Sequence, residues 1–307
     1  MLFSILLHGL ACVAGPLFVV GVIQRTKAVF AGRRGPSLLQ FAWDLGKLLR
    51  RDVVLSRTTT WVFLAGPVVG LITSVLALSL LPVGMHPAAL SFEGDFVLFA
   101  CALGLGRFFT VGAALDTGSP FEGMGGAREV TLGALAEPAL FIGFMVLARV
   151  TDAGSLTGML SGGAGVAWAS AGASLTAILL GWCLVLLAEN ARIPFDDPTT
   201  HLELTMIHEA MILDHSGPLL GLILLSSAVR LFAFCLLLVG LVMPFGSWGL
   251  DPSFSILVAG AGVFGVAVLI GVVESVMARL RLVQVPKIMV ASVLMVVFGA
   301  VLLAGDA

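Results

Sequence analysis

The chain has 307 residues, of which 59% are hydrophobic and 11% are charged, and its mean hydropathy is +1.11. A soluble domain carries about 25% charged residues, so this chain lacks the polar surface to cover a globule, and lipid must be its main solvent. A net charge of −2 and the lack of a basic run with interleaved aromatic residues argue against nucleic-acid binding.

Several apolar stretches are long enough to cross a bilayer as helices, which takes about 20 residues each. The eight stretches are about 2–24, 60–82, 95–115, 130–150, 167–189, 217–243, 254–278 and 286–304. The first lacks the basic region of a signal peptide, so we expect it to remain as a helix. The sequence predicts an all-α integral membrane protein, a single domain over 1–307 with a bundle of about eight transmembrane helices.

Basic residues mark alternate connections. The connections near 83–94, 151–166 and 244–253 contain no Lys or Arg, and only Arg149 borders one of them. The other side has Arg25, Lys27, Arg33, Arg34, Lys47, Arg50, Arg51, Arg57, Arg128, Arg192, Arg279, Arg281 and Lys287. By the positive-inside rule, the cytoplasmic loops are about 25–59, 116–129, 190–216 and 279–285. Both termini then lie on the outer, periplasmic side of the cell inner membrane.

The first cytoplasmic loop contains an amphipathic pattern at 37–52. Leu38, Phe41 and Leu45 recur at helical spacing, with charged residues between them. This pattern predicts a helix lying in the membrane interface. Docking of a cytoplasmic partner and simple anchoring in the membrane are equally open.

The connection 116–130 contains four glycines together with Asp116 and Glu122. We expect a mobile loop that leads into the fourth span. The segment has no phosphate-binding GxxxxGK[ST] pattern, so nucleotide binding has no support.

Ionisable side chains inside spans cost a few kcal/mol on insertion scales, which makes each a functional candidate. They are Arg107, Glu137, Glu189, Arg230 and Glu274. For the arginines, structural ion pairs and a functional role are equally open, whereas the carboxylates favour proton exchange. Pro138 follows Glu137 directly and predicts a bend in the helix beside this carboxylate.

The most polar stretch is the cytoplasmic loop 190–216. Pro194 and Pro198 bracket a predicted rigid turn, and Thr199 or Thr200 can then cap a helix that runs to about His215.

Three histidines, His201, His208 and His215, share one face of that predicted helix. Their seven-residue spacing separates them by about 10 Å per step, too far for one metal ion. No HExxH motif is present, so the sequence predicts no metal site. The face is instead an inter-subunit polar surface, or a proton entry in which histidines and carboxylates titrate near neutral pH.

The string ENARIPFDDPTTHLELTMIHEAMILDHSGP, from Glu189 to Pro218, resembles the signature of the respiratory complex I subunit 1 family in its hydrogenase branch. That branch includes the membrane anchors of formate hydrogenlyase-type complexes and of group 4 membrane-bound NiFe hydrogenases. Residues 24–52 and the stretch around Arg128, Glu129 and Glu137 resemble the family as well. The stretch 199–217 differs from its EAESELVAGYHTEYSG-like equivalent in complex I, which disfavours a quinone headgroup site.

The resemblance implies an ion-translocating membrane anchor that holds no redox centre and performs no catalysis itself. The four cysteines, Cys12, Cys101, Cys183 and Cys235, are far apart in apolar stretches. Iron–sulfur clusters and the NiFe centre are therefore expected in partner subunits, and no cofactor in this chain. The implied partners are hydrogenase-like large and small subunits, a ferredoxin-like iron–sulfur subunit, an antiporter-like membrane subunit and lipid.

The resemblance also assigns roles to residues. The implied ion pathway comprises Glu137, Glu189, Glu203, Glu209, Asp214 and Glu274. The implied interface with the soluble arm comprises Arg34, Gly35, Pro36, Arg192, Pro194, Phe195, Asp196, Asp197, His201 and His208. The implied intramembrane charge partners are Arg107, Arg128, Glu129 and Arg230.

Three other functions remain open at this point. These alternatives are a subunit of a quinone-reducing complex I-type dehydrogenase, a stand-alone cation/proton antiporter, and a structural anchor with silent carboxylates. The coupling ion, and whether the chain pumps or only anchors, are not determined by the residues.

Overall fold

The computed structural model describes residues 2–196, 206–243, 245–246, 248–249, 251–278 and 280–305. These residues form helices and connections without a β-strand. Eight of the helices are long and apolar enough to cross a membrane. The predicted all-α, multi-pass membrane bundle is therefore confirmed.

The helices follow in chain order. They are α1 Leu2–Phe30, α2 Gln40–Leu48, α3 Trp61–Ser79, α4 Asp95–Asp116, α5 Pro120–Thr151, α6 Ala164–Glu189, α7 His208–Met211, α8 Gly217–Val242, α9 Pro252–Val276 and α10 Val285–Gly305. A π-helical turn, Gly158–Gly163, leads into α6, and a 3₁₀ turn, Leu282–Gln284, leads into α10.

The centre of the bundle is α8, the most buried spanning helix, which packs against α1, α3, α6 and α9. Aromatic rings form the core beside it: Phe99 and Phe144 meet edge to face at 5.8 Å, and Phe144 meets Trp182 at 4.9 Å. Such pairs add to the burial of the rings and join α4, α5 and α6 firmly. At the periphery, α9 packs against α1 and α8, whereas α10 packs against α5 and α6.

The helix α5 begins at Pro120, so the mobile loop predicted up to residue 129 is wrong. Proline at the first helical position has a suitable backbone angle and gives up no intrahelical hydrogen bond. Gly125 lets this first part pack closely, because a Cβ atom there would lie 2.9 Å from the carbonyl oxygen of Ile207. The helix continues unbroken through Pro138, and the predicted bend there stays a prediction.

The amphipathic helix of the first loop is present as α2, shorter than the predicted 37–52. It has no buried residue, and Trp43 is 64% exposed. It packs along α1 and α8, and Gly21 of α1 permits a close approach of the Leu38 carbonyl. Its exposed side is free for either of the two predicted roles.

The loop 190–216 is described in part, and Asp197, His201 and Glu203 lie outside the described residues. Beyond residue 205 only α7 is helical, followed by a turn at Ile212–Asp214. The predicted helix up to His215 is therefore wrong there. Side chains from elsewhere satisfy its backbone instead: Asp196 accepts from the N–H of Ile207 and His208.

Candidate functional site

A buried arginine in the middle of α4 binds three carboxylates. Nη1 of Arg107 donates to Oε1 of Glu137 over 2.6 Å, and Nη2 donates to Glu189. Its Nε lies 3.6 Å from Oε1 of Glu129. Because Glu129 and Glu137 belong to α5 and Glu189 ends α6, one guanidinium joins three spanning helices. We call these four residues the Arg107 cluster.

Two glycines make room for the Arg107 cluster. A Cβ atom at Gly133 of α5 would overlap the guanidinium of Arg107, and one at Gly104 of α4 would lie 3.4 Å from Oε1 of Glu137. The close packing of α4 on α5 therefore depends on the absence of side chains at these two positions.

Exposure differs within the Arg107 cluster. Arg107, Glu129 and Glu189 are between 5% and 8% exposed, whereas the side chain of Glu137 is 43% exposed. Glu137 contacts α4 at Gly104, one helical turn before Phe108, whose side chain is 71% exposed. Glu137 therefore lies at the outer surface of the bundle. Buried charges require partners, and the one guanidinium of Arg107 supplies a partner to each of the three carboxylates. The arrangement is suited to taking up and passing on a proton.

A second ion-pair group lies at the C-terminal ends of α1 and α9. Glu274 lies 2.8 Å from Nζ of Lys27 and 3.4 Å from Nη1 of Arg192. The group ties α1, α9 and the loop after α6 together. Lys27 was interpreted from the sequence only as a marker of topology, since nothing in its spacing distinguishes it from the other basic residues of that loop.

The loop after α6 is held from inside the chain. Phe195 and Asp196 are each 3% exposed, and the carbonyl of Pro194 accepts from the N–H of Leu280. Arg192 is partly buried in its pair with Glu274. These side chains shape the loop, and their contact with a soluble arm stays a prediction.

The two described histidines of this region are neutral at physiological pH. His208 bonds to Ser227 over 3.2 Å, and burial together with the charges of Arg230 and Arg192 lowers its pKa to about 3. His215 stacks on Phe63 at 4.0 Å, and burial lowers its pKa to about 4. The expectation that these histidines titrate near neutral pH is therefore wrong.

Carboxylates of the same segment behave differently. Burial and the charge of Asp196 raise the pKa of Glu209. Asp214 is exposed, and its backbone N–H donates to Glu122 over 2.9 Å. Glu122 is fully buried. Sequence reasoning placed Glu122 in a loop and so missed its role in fixing this segment against α5.

A small polar cavity adjoins the Arg107 cluster. Arg107, Glu129, His208 and Arg230 line it together with the hydroxyls of Thr110, Ser226 and Ser227. It offers about 20 Å³ to water centres, enough for at least one water by the measure of about 10–15 Å³ each. Arg230 makes no ion pair with the residues that the structure describes.

The remaining predicted residues lie in the connection after α1 and in the first part of α5. Arg34 and Pro36 are exposed and Gly35 is half-buried. Arg128 donates from Nη1 to the carbonyl of Met206 over 3.1 Å and so connects α5 with the segment before α7. Within the described ranges, no three His, Cys, Asp or Glu side chains are grouped in a way that could hold a metal ion.

Comparison with known proteins gives a consistent set of relatives. A family model described as NADH dehydrogenase matches residues 3–305. The chain is 34% identical over 232 residues to hydrogenase-4 component C of Escherichia coli (strain K12), covering 75% of this chain and 71% of that protein. It is 29% identical over 289 residues to formate hydrogenlyase subunit 4 of the same organism, covering 92% of each.

The fold is also similar to a solved structure. The chain superposes with a TM-score of 0.83 on a chain of the membrane-bound sulfane sulfur reductase, an archaeal respiratory membrane complex, and 98% of each chain is covered. The sequence identity is 21%, so this likeness concerns the fold alone.

Proposed function

Because the chain belongs to the NADH dehydrogenase family, the family of complex I subunit 1, we propose that it is the membrane-anchoring, ion-translocating subunit of a membrane-bound NiFe hydrogenase or formate hydrogenlyase-type complex. In this role it couples redox chemistry in a soluble arm to the movement of protons or sodium ions in a membrane arm. The names of its two E. coli relatives, a hydrogenase component and a formate hydrogenlyase subunit, support this assignment.

The observation that carries the proposal is the Arg107 cluster. Carboxylates buried in a membrane bundle are costly and are retained where ions or protons move. Glu189 stands at the cytoplasmic end of α6, and Glu137 reaches the outside of the bundle. The one guanidinium between them pairs with both. The cluster thus offers a path from the cytoplasmic loop to the lateral surface of the protein.

At the cytoplasmic end, Glu209 and Asp214 supply further carboxylates ahead of Glu189, and Glu203 belongs to the same proposed path. Glu274 and its two cations stand beside this entry. A charge change in the soluble arm would change the free energy of protonating these carboxylates. About 1.4 kcal/mol of such an interaction moves a pKa by one unit.

The half-exposed Glu137 supports a membrane partner. A carboxylate that faces lipid costs about 2.5–3.5 kcal/mol on insertion scales, so in the complex another protein surface covers it. We assign this contact to the proposed antiporter-like membrane subunit, which would receive or deliver the ion at Glu137.

The cytoplasmic face supports docking of the soluble arm. Arg34 and Pro36 are exposed there, as are Trp43 of α2 and Val54. We propose that hydrogenase-like large and small subunits and a ferredoxin-like subunit bind this face and hold the NiFe centre and the iron–sulfur clusters.

Replacement of Glu137 by Gln tests the ion path. The variant Glu137→Gln should abolish redox-driven ion transfer in vesicles that contain the assembled complex, because the amide cannot carry a proton. Dye-linked hydrogenase activity of the soluble arm should remain. Glu93→Gln, at an exposed carboxylate of an outer connection, is the matched control and should transfer ions normally.

Undiminished ion transfer in the Glu137→Gln complex would remove this residue from the path and leave the chain an anchor. Transport by the purified chain alone in liposomes would instead favour a stand-alone antiporter.

A further inference from the structure

A groove opens between three helices at the end of the bundle where α5 and α10 end and α6 begins. Its volume is about 650 Å³, within the range of about 300–1,000 Å³ that is usual for small-molecule sites. Hydrocarbon side chains form most of its wall, among them Met145 and Val146 of α5 and Ala300 and Leu303 of α10, and Arg149 lies beside them. Because Met145 is 65% exposed, the groove is open to the side of the bundle. We call it the Arg149 groove.

The course of α6 creates the Arg149 groove. The backbone of α6 leaves helical geometry at Ala171, which has φ −135° and ψ 40° and lines the groove. Before this point, Nε1 of Trp168 donates to the carbonyl of Leu241 in α8 over 2.7 Å. After it, the hydroxyl of Ser174 donates to the carbonyl of Gly299 in α10 over 2.6 Å. Since α6 is bonded to α8 on one side of the bend and to α10 on the other, the groove is a fixed feature of the fold.

Arg149 gives this groove a positive charge. The connections at the same end of the bundle, 83–94, 151–166 and 244–253, contain no Lys or Arg. Arg149 is exposed, and no carboxylate of the described residues forms an ion pair with it, not even that of Asp152 three positions further on. A guanidinium therefore stands at the groove with its donors available to a ligand.

The charge and the apolar wall lie at different depths. Arg149 belongs to the last turn of α5, and the chain leaves the bundle directly after Thr151. The wall continues along α5 to Ile142, about 10 Å further into the bundle at 1.5 Å per residue. The guanidinium thus lies near the level of the lipid headgroups and the wall lies in the hydrocarbon layer. A phospholipid has its groups in the same order, and arginine binds phosphate through two parallel hydrogen bonds.

We propose that the Arg149 groove is a phospholipid-binding site. The phosphate group pairs with the guanidinium of Arg149, and one acyl chain lies in the groove against Met145, Val146 and Ala300. A protein helix in this place would need a carboxylate opposite Arg149, whereas a phospholipid supplies its own anion. The bound lipid holds α10, the least buried of the eight spanning helices, against α5. The site is separate from the Arg107 cluster and does not depend on ion transfer.

Lipid binding by the purified full chain tests the proposal. The chain is washed in mild detergent and titrated with phosphatidylglycerol, and native mass spectrometry counts the bound molecules. Wild type should bind one molecule more tightly than any further one, and Arg149→Gln should bind this molecule at least tenfold more weakly. Arg57→Gln, at an exposed arginine before α3, is the matched control and should bind as wild type does.

A second pair of variants tests the apolar wall. Ala300→Trp places an indole ring in the groove and should weaken binding at least tenfold, although Arg149 is unchanged. The control is Val301→Trp at the next position, which is 60% exposed and does not line the groove, and it should bind as wild type does. Added phosphatidylglycerol should also raise the Tm of wild type and leave that of Arg149→Gln unchanged, because a ligand of the folded state stabilises it.

The ligand itself provides a further comparison. Diacylglycerol with the same acyl chains lacks the phosphate and should bind wild type at least tenfold more weakly than phosphatidylglycerol. Equal binding of the two lipids, or undiminished binding by Arg149→Gln or Ala300→Trp, would overturn the proposal. Capture of a partner subunit by a photo-crosslinking residue in place of Ala304, in the assembled complex, would overturn it as well. The comparison of the two lipids uses wild type alone, so it remains decisive if a variant fails to fold.

Discussion

At the scale of single residues, burial decides the charge state of the histidines in the segment around α7. His215 is 5% exposed and lies flat on Phe63, an environment in which the imidazolium ion would lose its hydration. Histidines close to a proton path are readily interpreted as relays, but His215 and His208 remain uncharged and help to pack α7 onto the bundle.

Neutral His215 has a consequence for stability against pH. Its pKa is about 4 in the folded chain and about 6.5 when unfolded, so acid protonates the unfolded state first. The stabilisation that comes from keeping His215 neutral is complete above about pH 6.5 and is lost as the pH falls towards 4. His215→Phe keeps the ring stack and removes the titration. At pH 5 the wild type should have lost about 2 kcal/mol of its free energy of unfolding through His215, and His215→Phe should not show this loss.

Thermal unfolding of the purified chain in detergent at pH 7.5 and pH 5 measures this effect. The drop in Tm between the two should be smaller in His215→Phe than in wild type. Equal drops in the two proteins would show that the ring is charged or exposed in the folded state.

Arg107, Glu137 and Glu189 could be singled out from the sequence, because ionisable side chains stand out in apolar spans. Glu129 was assigned to a loop, and only the family resemblance named it as a charge partner. The pairing within the cluster could not be predicted, since Arg107, Glu137 and Glu189 come from three helices whose relative rotation is set by packing. Arg230 shows the limit most clearly: it looks the same in sequence as Arg107, yet it forms no ion pair with the described residues.

At the scale of elements, α5 does more than cross the membrane. Its 32 residues span about 48 Å at 1.5 Å each, well beyond a hydrocarbon core of about 30 Å. The additional turns bring Glu122 and Arg128 into contact with the segment around α7. They were predicted as a loop because their glycines suggest flexibility, but here glycine provides close packing.

Gly133 illustrates this packing role and gives a test of it. Gly133→Ala would place a methyl group where the Arg107 guanidinium lies, so the guanidinium must move away from its carboxylates. We expect at least a tenfold slower ion transfer, about 1.4 kcal/mol at the barrier. Lower thermal stability should accompany it, with dye-linked activity unchanged.

The matched control is Gly260→Ala on α9, where an added Cβ atom meets nothing within 4 Å. It should behave as wild type or slightly better, because Ala favours helix over Gly. Normal transfer in Gly133→Ala would show that the position of the guanidinium is not critical.

At the scale of the whole molecule, the architecture was predictable because the bilayer permits few solutions. Backbone groups in lipid must be bonded within their own segment, so eight apolar stretches become eight helices. The order of the helices around the bundle could not be predicted, since apolar faces of similar composition do not identify their neighbours.

The orientation of the bundle stays a prediction, and single cysteines on opposite sides can test it. In a cysteine-free background, Gly46→Cys on α2 should react with a membrane-impermeant thiol reagent only from the cytoplasmic side of sealed vesicles. Glu93→Cys should react only from the outer side. Both positions are on the surface. Labelling with the opposite sidedness would invert the proposed topology.

The bond from Leu280 to Pro194 and the ion pair of Glu274 with Arg192 have a consequence for the order in which the protein is made. Chains are synthesised from the N-terminus at about 5–20 residues per second. The loop after α6 therefore cannot form these two contacts until α9 and the residues directly after it have been synthesised. A ribosome-bound or truncated chain that ends before Glu274 has most of its spans but lacks these two contacts, so the loop after α6 reaches its final arrangement only when the chain is nearly complete.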